Sequence, residues 1–255
     1  MTHILVTNDD GILAPGIIQL AKSLTQLGKV TVVAPDKNWS VSGHKKTLHK
    51  PLRIRPVKLI DGVNAYSSNG SPSDCVALAL LGFIEEKIDL VVSGINPHAN
   101  IGNDVTYSGT VTAAFESVIN GLPAVAFSLD SPMDFTENVD YSASGEIAVS
   151  ICRNVIENGL PSKTILSVNI PYLSRDAIKG FQITKQGLRV YRDALLVRED
   201  PRGTPYYWIG GQSPQAVSEE GTDYGALMAG FVSITPLQLD MTAYSLFEYL
   251  SQWKW

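Results

Sequence analysis

The stretch His3-Ile4-Leu5-Val6-Thr7-Asn8-Asp9-Asp10-Gly11 decides the fold, because a short apolar run ends abruptly in two adjacent carboxylates. Such a run is typical of a strand buried on both faces of a parallel sheet. Open α/β sheets bind ligands beyond the carboxyl ends of their strands, which is where Asp9 and Asp10 stand. A turn at Gly11 would let both carboxylates converge on one cation. The alternative interpretation is a solvated acidic turn.

Strand and helix patterns alternate after this stretch. Ser71, Pro72 and Asp74 form the signature of a helix start, and Gly28 is predicted to cap the end of the first helix. Buried strands are predicted at 30–34, 89–92, 124–127 and 165–169, and helices at 16–27, 72–84, 110–119 and 141–157. This alternation predicts an α/β fold with a doubly wound, mostly parallel sheet, helices on both faces and right-handed crossovers.

Composition and charge narrow the class of protein. The 255 residues are 44 % apolar and 18 % charged, as in an ordinary globular enzyme. A formal net charge of −5 provides no basic field, so we expect no long nucleic acid as a partner. We find no targeting or membrane-spanning pattern and expect a cytoplasmic protein without membrane contact. Cys75 and Cys152 lie in apolar stretches and are interpreted as small buried fillers.

The pattern changes beyond about residue 180. Residues 189–208 are rich in charged and aromatic side chains and predict a long hairpin outside the main sheet. A terminal helix is predicted with one apolar face, formed by Ala243, Leu246, Phe247, Leu250 and Trp253. That face packs on its own domain or on a second subunit. We therefore divide the chain into an α/β domain, 1–185, and an extension, 186–255.

Polar side chains follow the other predicted strands as well. Ser40 comes after the second strand and Asn96 after the third, and Ser108-Gly109-Thr110 opens a helix. Carboxylate, hydroxyl and amide oxygens are hard ligands that suit Mg²⁺ or Mn²⁺ better than zinc. The free N–H groups at a helix start suit a phosphate. A metal beside a phosphate cradle indicates phosphoryl chemistry.

The chain resembles the SurE (survival protein E) nucleotidases. The motifs that carry the resemblance span nearly the whole chain: Asn8-Asp9-Asp10-Gly11, Ala34-Pro35-Asp36 with Ser40, Gly43 and His44, Gly70-Ser71-Pro72-Ser73-Asp74-Cys75-Val76, Ser93-Gly94-Ile95-Asn96, Asn100, Gly102, Asp104-Val105, Tyr107-Ser108-Gly109-Thr110-Val111 and Glu220-Gly221-Thr222-Asp223. The resemblance implies a Rossmann-like catalytic domain and metal-dependent hydrolysis of nucleoside 5′- and 3′-monophosphates, with polyphosphate as a further substrate of some members. It also implies homodimers or homotetramers built through the carboxyl-terminal part.

The resemblance also assigns site residues. The family's metal-ligand positions correspond to Asp9, Asp10, Ser40 and Asn96, which implies one divalent cation, Mg²⁺ or Mn²⁺, per subunit. The phosphate-binding positions fall on Asn96, Ser108, Gly109 and Thr110. The expected catalytic residues are Asp9, Asp10 and Asn96, with a metal-bound hydroxide or one of the aspartates completing the attack on phosphorus.

Three positions depart from the family pattern. Pro97-His98 stands where a glycine is usual, and His98 is interpreted as packing or facing solvent, with an acid–base role as the alternative. Lys45-Lys46 is interpreted as a solvated charge pair. Trp39 stands at a position where a polar residue is common in the family, and its alternative role is to stack on a nucleobase.

Three other kinds of protein are alternatives to this interpretation. A haloacid-dehalogenase-type phosphatase uses an aspartyl nucleophile in Asp-x-Asp, whereas the pair here is contiguous. A signalling receiver domain needs an aspartate after its third strand and a lysine near its last, where this chain has Ser93 and Asn169. A non-enzymatic nucleotide-binding protein stays open as an alternative, although a metal-ligand set with an open position argues for catalysis.

Overall fold

A nine-stranded sheet forms the centre of the computed structural model, which describes residues 1–132 and 139–255, without the side chains of residues 192, 193 and 211–214. The strands are β1 (His3–Thr7), β2 (Lys29–Pro35), β3 (Ile54–Val57), β4 (Asn64–Ser68), β5 (Leu90–Asn96), β6 (Ala124–Asp130), β7 (Thr164–Pro171), β8 (Phe181–Ile183), β9 (Arg189–Glu199), β10 (Pro205–Ala216) and β11 (Val232–Gln238). The α-helices are α1 (Pro15–Leu24), α2 (Pro72–Leu78), α3 (Gly109–Ile119), α4 (Ser142–Asn158), α5 (Asp223–Met228) and α6 (Phe247–Ser251).

The strand order confirms the doubly wound, mostly parallel sheet. It reads β3-β4-β2-β1-β5-β6-β7-β11-β8, and the run from β4 to β7 is parallel throughout. From β1 the chain first builds outward through β2 and β4, and then returns to the other side of β1 with β5. The carboxyl ends of β1 and β5, which are in register at Thr7 and Ser93, therefore form the switch point where such sheets bind ligands.

Helices cover both faces of the sheet, and β1 shows how its residues divide between them. Ile4 and Val6 belong to the apolar cluster under α1 and α4, whereas Leu5 belongs to the cluster under α2 and α3. This alternation explains why the strand is apolar at every position. Cys75 and Cys152 are free and fully buried, one in each cluster, which confirms them as core residues.

One helix ends earlier than its apolar pattern suggests, and another changes from α-helical to π-helical form. Helix α1 ends at Leu24 rather than near Gly28, because the next N–H groups bond three residues back, Gln26 to the Ser23 carbonyl and Leu27 to the Leu24 carbonyl. Helix α2 starts as predicted, with a capping box between Ser71 and Asp74, and continues past Leu78 as a π-helical turn.

Four further strands complete the sheet. The sequence patterns do not predict these strands. β3 and β4 extend one side, and β11 and β8 extend the other, with β11 antiparallel to β7. Residues 232–238 thus belong to the main sheet although they lie in the segment assigned to the extension. The boundary near residue 185 stays a prediction, but the two parts of the chain share one sheet.

The hairpin and the terminal helix stand apart from that sheet. β9 and β10 pair only with each other among the described strands, which confirms the predicted hairpin and extends it to residue 216. The terminal helical segment is shorter than predicted, with a 3₁₀ turn before α6. Phe247 is 59 % exposed and Trp253 is 50 % exposed, so this apolar face does not pack on its own domain. No helix in the described ranges is long and apolar enough to cross a membrane.

Candidate active site

The turn after β1 presents the two aspartates. The Asn8 side chain closes this turn, since its Nδ2 donates to the Gly11 carbonyl at 2.9 Å and its Oδ1 accepts the Gly11 N–H at 3.2 Å. Gly11 has a φ of +105°, a conformation that favours glycine. The structure therefore confirms the predicted turn, which takes Asp9 and Asp10 out of the alternating geometry of a strand.

Asp9 is buried against the first turn of α3. The Thr110 hydroxyl donates to Asp9 Oδ1 at 2.5 Å. A Cβ atom on Gly109 would lie 2.7 Å from Asp9 Cβ and 2.9 Å from Asp9 Oδ2. Only a glycine at this position permits so close an approach, because real Cβ contacts are not that short. The structure thus brings together three residues of the predicted site that are about 100 positions apart.

The start of α3 makes its polar groups available to Asp9. The Ser108 hydroxyl accepts the Val111 N–H at 3.1 Å and so caps the helix. The backbone N–H groups of Gly109 and Thr110 favour the ionised form of Asp9, but burial outweighs them and the pKa of Asp9 is raised. In this structure the Asp9 side chain lies at the helix start, and the phosphate cradle proposed for these residues must adjoin it.

The carboxylate pair lacks a compensating positive charge. Burial raises the pKa of Asp9, although the hydrogen bonds from Thr110 and Gly109 act against it. Burial and then repulsion from Asp9 raise the pKa of Asp10 to about 7. Within the described part of the chain, no lysine, arginine or histidine forms an ion pair with either aspartate. Two adjacent carboxylates, one buried and one partly buried, fit a cation between them in this situation.

The loop that carries Ser40 is hydrogen-bonded to the turn that carries Asp9. The Trp39 N–H donates to the Asp9 carbonyl at 2.7 Å, which sets Ser40 next to the aspartate turn. The Ser40 N–H donates to Asn38 Oδ1 at 2.6 Å, and the Ser40 side chain is exposed. Its hydroxyl is therefore open to a ligand.

Asn96 ends β5 on the other side of the switch point. Its Nδ2 donates to the His98 carbonyl at 2.5 Å, which leaves Oδ1 as the atom that can accept or coordinate. The Nδ1 atom of His98 lies 3.3 Å from the carbonyl oxygen of Ser131. The predicted ligands thus come from three strand ends, as expected for a doubly wound sheet.

Two lysines have partners that the sequence interpretation did not include. Lys45 Nζ lies 4.9 Å from the centre of the Trp39 ring, and Lys46 pairs with Glu116 on α3. Both residues are exposed, as a solvated charge pair would be, and their ammonium groups also have partners on the protein. Lys37 Nζ also approaches the Trp39 ring, at 5.6 Å.

A second group of residues ties the base of the hairpin to the loop before α3. Asp223 is buried and accepts the Gly102 N–H at 2.8 Å and the Gly187 N–H at 2.9 Å. Arg189 Nε lies 3.0 Å from Asp104 Oδ2, in an orientation that does not make a hydrogen bond. The sequence offered only the Thr222-Asp223 motif as a signal for this connection.

Comparisons with known proteins agree with the motifs. The family model described as Survival protein SurE matches residues 4–193. A protein of Chloroflexus aggregans named 5′-nucleotidase SurE is 46 % identical over 253 residues, covering 99 % of both chains. One of Legionella pneumophila with the same name is 49 % identical over 249 residues, covering 97 % of this chain and 95 % of its own. The crystal structure of the SurE protein from Aquifex aeolicus superposes with a TM-score of 0.82 at 41 % identity, covering 98 % of this chain and 99 % of its own. The chain described here belongs to the SurE family.

Proposed function

We propose that this protein hydrolyses nucleoside 5′-monophosphates to nucleoside and phosphate, using one Mg²⁺ or Mn²⁺ ion per subunit. The observation that carries the proposal is the pair formed by the buried Asp9 and the partly buried Asp10 at the switch point of the sheet, without a positive partner among the described residues. The shared name of the relatives, 5′-nucleotidase SurE, supports the choice of substrate class.

The donor set fits a hard divalent cation. Asp9 and Asp10 would supply carboxylate oxygens, Asn96 its amide Oδ1 and Ser40 its exposed hydroxyl. When bound, such an ion supplies Lewis-acid polarisation of the phosphate and a lower pKa for a coordinated water.

The residues around this position have separate roles in the proposal. Thr110 and the start of α3 hold Asp9 in one orientation and act against the rise of its pKa that burial causes. Ser108, Gly109 and Thr110 at the start of α3, together with Asn96 at the end of β5, are proposed to bind the phosphate oxygens of the substrate, and the helix dipole of α3 favours that negative charge. Positioning and electrostatic stabilisation would then account for most of the rate enhancement.

Further parts of the proposal concern substrate range and assembly. Nucleoside 3′-monophosphates and short polyphosphate are proposed as additional substrates, and the cytoplasm as the location. A homodimer or homotetramer is proposed to form through the carboxyl-terminal region. The exposed apolar side chains of the hairpin and of α6 support an interface there.

The decisive test is a phosphate-release assay with a panel of nucleoside monophosphates. Wild-type protein is assayed with Mg²⁺, with Mn²⁺ and with a chelator, beside Asp9→Asn and the exposed control Asp61→Asn. We expect the chelator and Asp9→Asn each to lower turnover on the order of 10³-fold or more, as when an essential catalytic group is removed. The control should keep wild-type turnover.

The same assay separates the alternative functions. Turnover that ignores the chelator would contradict the proposed metal dependence and favour a covalent aspartyl mechanism. A protein that binds nucleotides without releasing phosphate under any metal condition would be a binding protein. Wild-type turnover by a folded Asp9→Asn variant would contradict the site assignment.

A further inference from the structure

Glu116 is a buried carboxylate with no part in the site described so far. It lies on α3, and its side chain is only 3 % exposed. His44 Nε2 lies 3.0 Å from one carboxylate oxygen, and Lys46 Nζ lies 2.9 Å from the other. Burial acts to raise the pKa of Glu116, but the hydrogen bonds from His44 and Lys46 outweigh it and hold that pKa below its ordinary value. Glu116 is therefore an anion with two partners from one loop.

That loop, residues 38–47, is the one that carries Ser40. Its other anchors include hydrogen bonds of backbone N–H groups at the two ends and in the middle, and a hydrogen bond of 2.6 Å from the Ser71 hydroxyl to the Lys45 carbonyl. The Trp39 N–H donates to the Asp9 carbonyl at 2.7 Å, the Gly43 N–H to the Tyr107 carbonyl at 2.9 Å and the Thr47 N–H to Asp74 Oδ1 at 2.8 Å. The loop thus spans from the aspartate turn to α2 and rests on the segment that begins α3.

Glu116 differs from these anchors in chemistry. Hydrogen bonds between ionised groups are stronger than those between neutral groups, and a buried carboxylate that loses its partners carries a large desolvation penalty. The His44 and Lys46 side chains are 31 % and 47 % exposed, so without Glu116 they could move into solvent. The carboxylate therefore restrains residues 44–46 of the loop that carries Ser40.

We propose that Glu116 is a positioning residue for the metal site: by holding His44 and Lys46, it keeps the 38–47 loop on α3 and so keeps Ser40 beside Asp9. This inference rests on the proposed function, because Ser40 is a ligand only if a metal binds there. α3 then serves the site twice. Its first turn orients Asp9 through Thr110, and its third turn orients the loop with the neighbouring ligand.

A merely structural role predicts a different result from a positioning role. If Glu116 only stabilised α3, its substitution would lower the free energy of unfolding and leave the metal affinity of the folded protein unchanged. A positioning role predicts weaker metal binding by protein that is still folded. The metal affinity of the free protein is therefore the measurement that separates the two roles.

The experiment compares Glu116→Gln with Glu157→Gln, which removes the same charge from an exposed position on α4. Mn²⁺ binding is titrated by electron paramagnetic resonance of the free ion, without nucleotide, and urea unfolding verifies that each variant is folded. We expect Glu116→Gln to raise the Kd for Mn²⁺ about 10-fold, as when an outer partner of a metal ligand is lost. Glu157→Gln should bind like the wild type. At saturating Mn²⁺, kcat of Glu116→Gln should approach the wild-type value.

Each other outcome decides against the inference. Wild-type Mn²⁺ affinity in folded Glu116→Gln would overturn it, and so would equal weakening in both variants. If Glu116→Gln does not fold, Lys46→Met, which changes a half-exposed side chain, replaces it with the same two criteria. A wild-type protein that binds no Mn²⁺ would contradict the proposed function itself, and the positioning role with it.

Discussion

Thr110 reaches across 101 positions of sequence to donate its hydroxyl to the carboxylate of Asp9. Removing this donor would leave a buried carboxylate oxygen without its side-chain partner, which costs about 1.5–3 kcal/mol for a hydrogen bond to a charged group. Under the proposed function, Thr110→Val should therefore lower kcat/KM for a nucleoside 5′-monophosphate about 10- to 100-fold, measured by phosphate release at saturating Mn²⁺.

Two variants test whether the hydroxyl itself is responsible. Thr110→Ser keeps a donor at the same position and should retain most of the wild-type kcat/KM. Thr112→Val makes the same substitution at another buried threonine of α3, whose hydroxyl bonds to the Ser108 carbonyl and not to Asp9. Equal losses from Thr110→Val and Thr112→Val would show that the effect comes from α3 as a whole.

Burial decides which strands could be predicted from sequence. β1, β2, β5, β6 and β7 lie in the interior of the sheet and are covered on both faces, so their apolar runs identify them. β3 and β4 lie toward one edge and are half exposed, and β3 contains a proline, so neither has an apolar run. β8 has three residues, and β11 is recognisable only through its pairing with β7.

In the site, too, some features could be predicted from the sequence and others could not. Asp9, Asp10, Ser40 and Asn96 could be proposed as ligands because polar side chains follow the predicted strands and the family resemblance assigns the ligand set to these positions. The contacts that hold them could not, because they join distant segments. Glu116 looks like an isolated charge in an apolar helix, and its partner His44 is 72 residues away. Distance along the chain, rather than residue type, set this limit.

Asp223 connects three elements that the sequence does not show to be neighbours. It begins α5 and accepts backbone N–H groups from the loop before α3 and from the entry to β9. Asp223→Asn would turn one acceptor into a donor facing another donor in a buried position. We expect it to lower the free energy of unfolding by about 1–3 kcal/mol, the cost of an unsatisfied buried polar group.

Urea denaturation of the whole chain measures this change. Asp176→Asn, at an exposed position, is the matched control and should unfold like the wild type. An Asp223→Asn variant with unchanged stability would show that these hydrogen bonds contribute no net free energy. A loss of stability would identify Asp223 as the anchor through which the carboxyl-terminal part of the chain supports the start of α3.

At the scale of the whole molecule, the exposed apolar surface is concentrated in the carboxyl-terminal part. On the hairpin, Trp208 is 63 % exposed and Ile209 is 86 % exposed, and Phe247 on α6 is similarly open. A monomer with so much exposed apolar surface is unfavourable, and symmetric association is the usual way to bury it. The proposed catalytic residues lie at the switch point of the sheet, on other elements, so the proposed assembly surface and the proposed site occupy different parts of the chain.

Phe247→Asp tests this assignment of the assembly surface. Sedimentation analysis should show a dimer or tetramer for the wild type and a shift to smaller species for Phe247→Asp, because a charge buried at an interface is costly. Leu48→Asp places the same charge at another exposed apolar residue, on a loop distant in sequence from α6. This variant should leave the mass of the sedimenting species unchanged. A wild-type monomer, or an intact oligomer with Asp at position 247, would contradict association through α6. The phosphate-release rate of the dissociated variant would then show whether one chain contains the complete site.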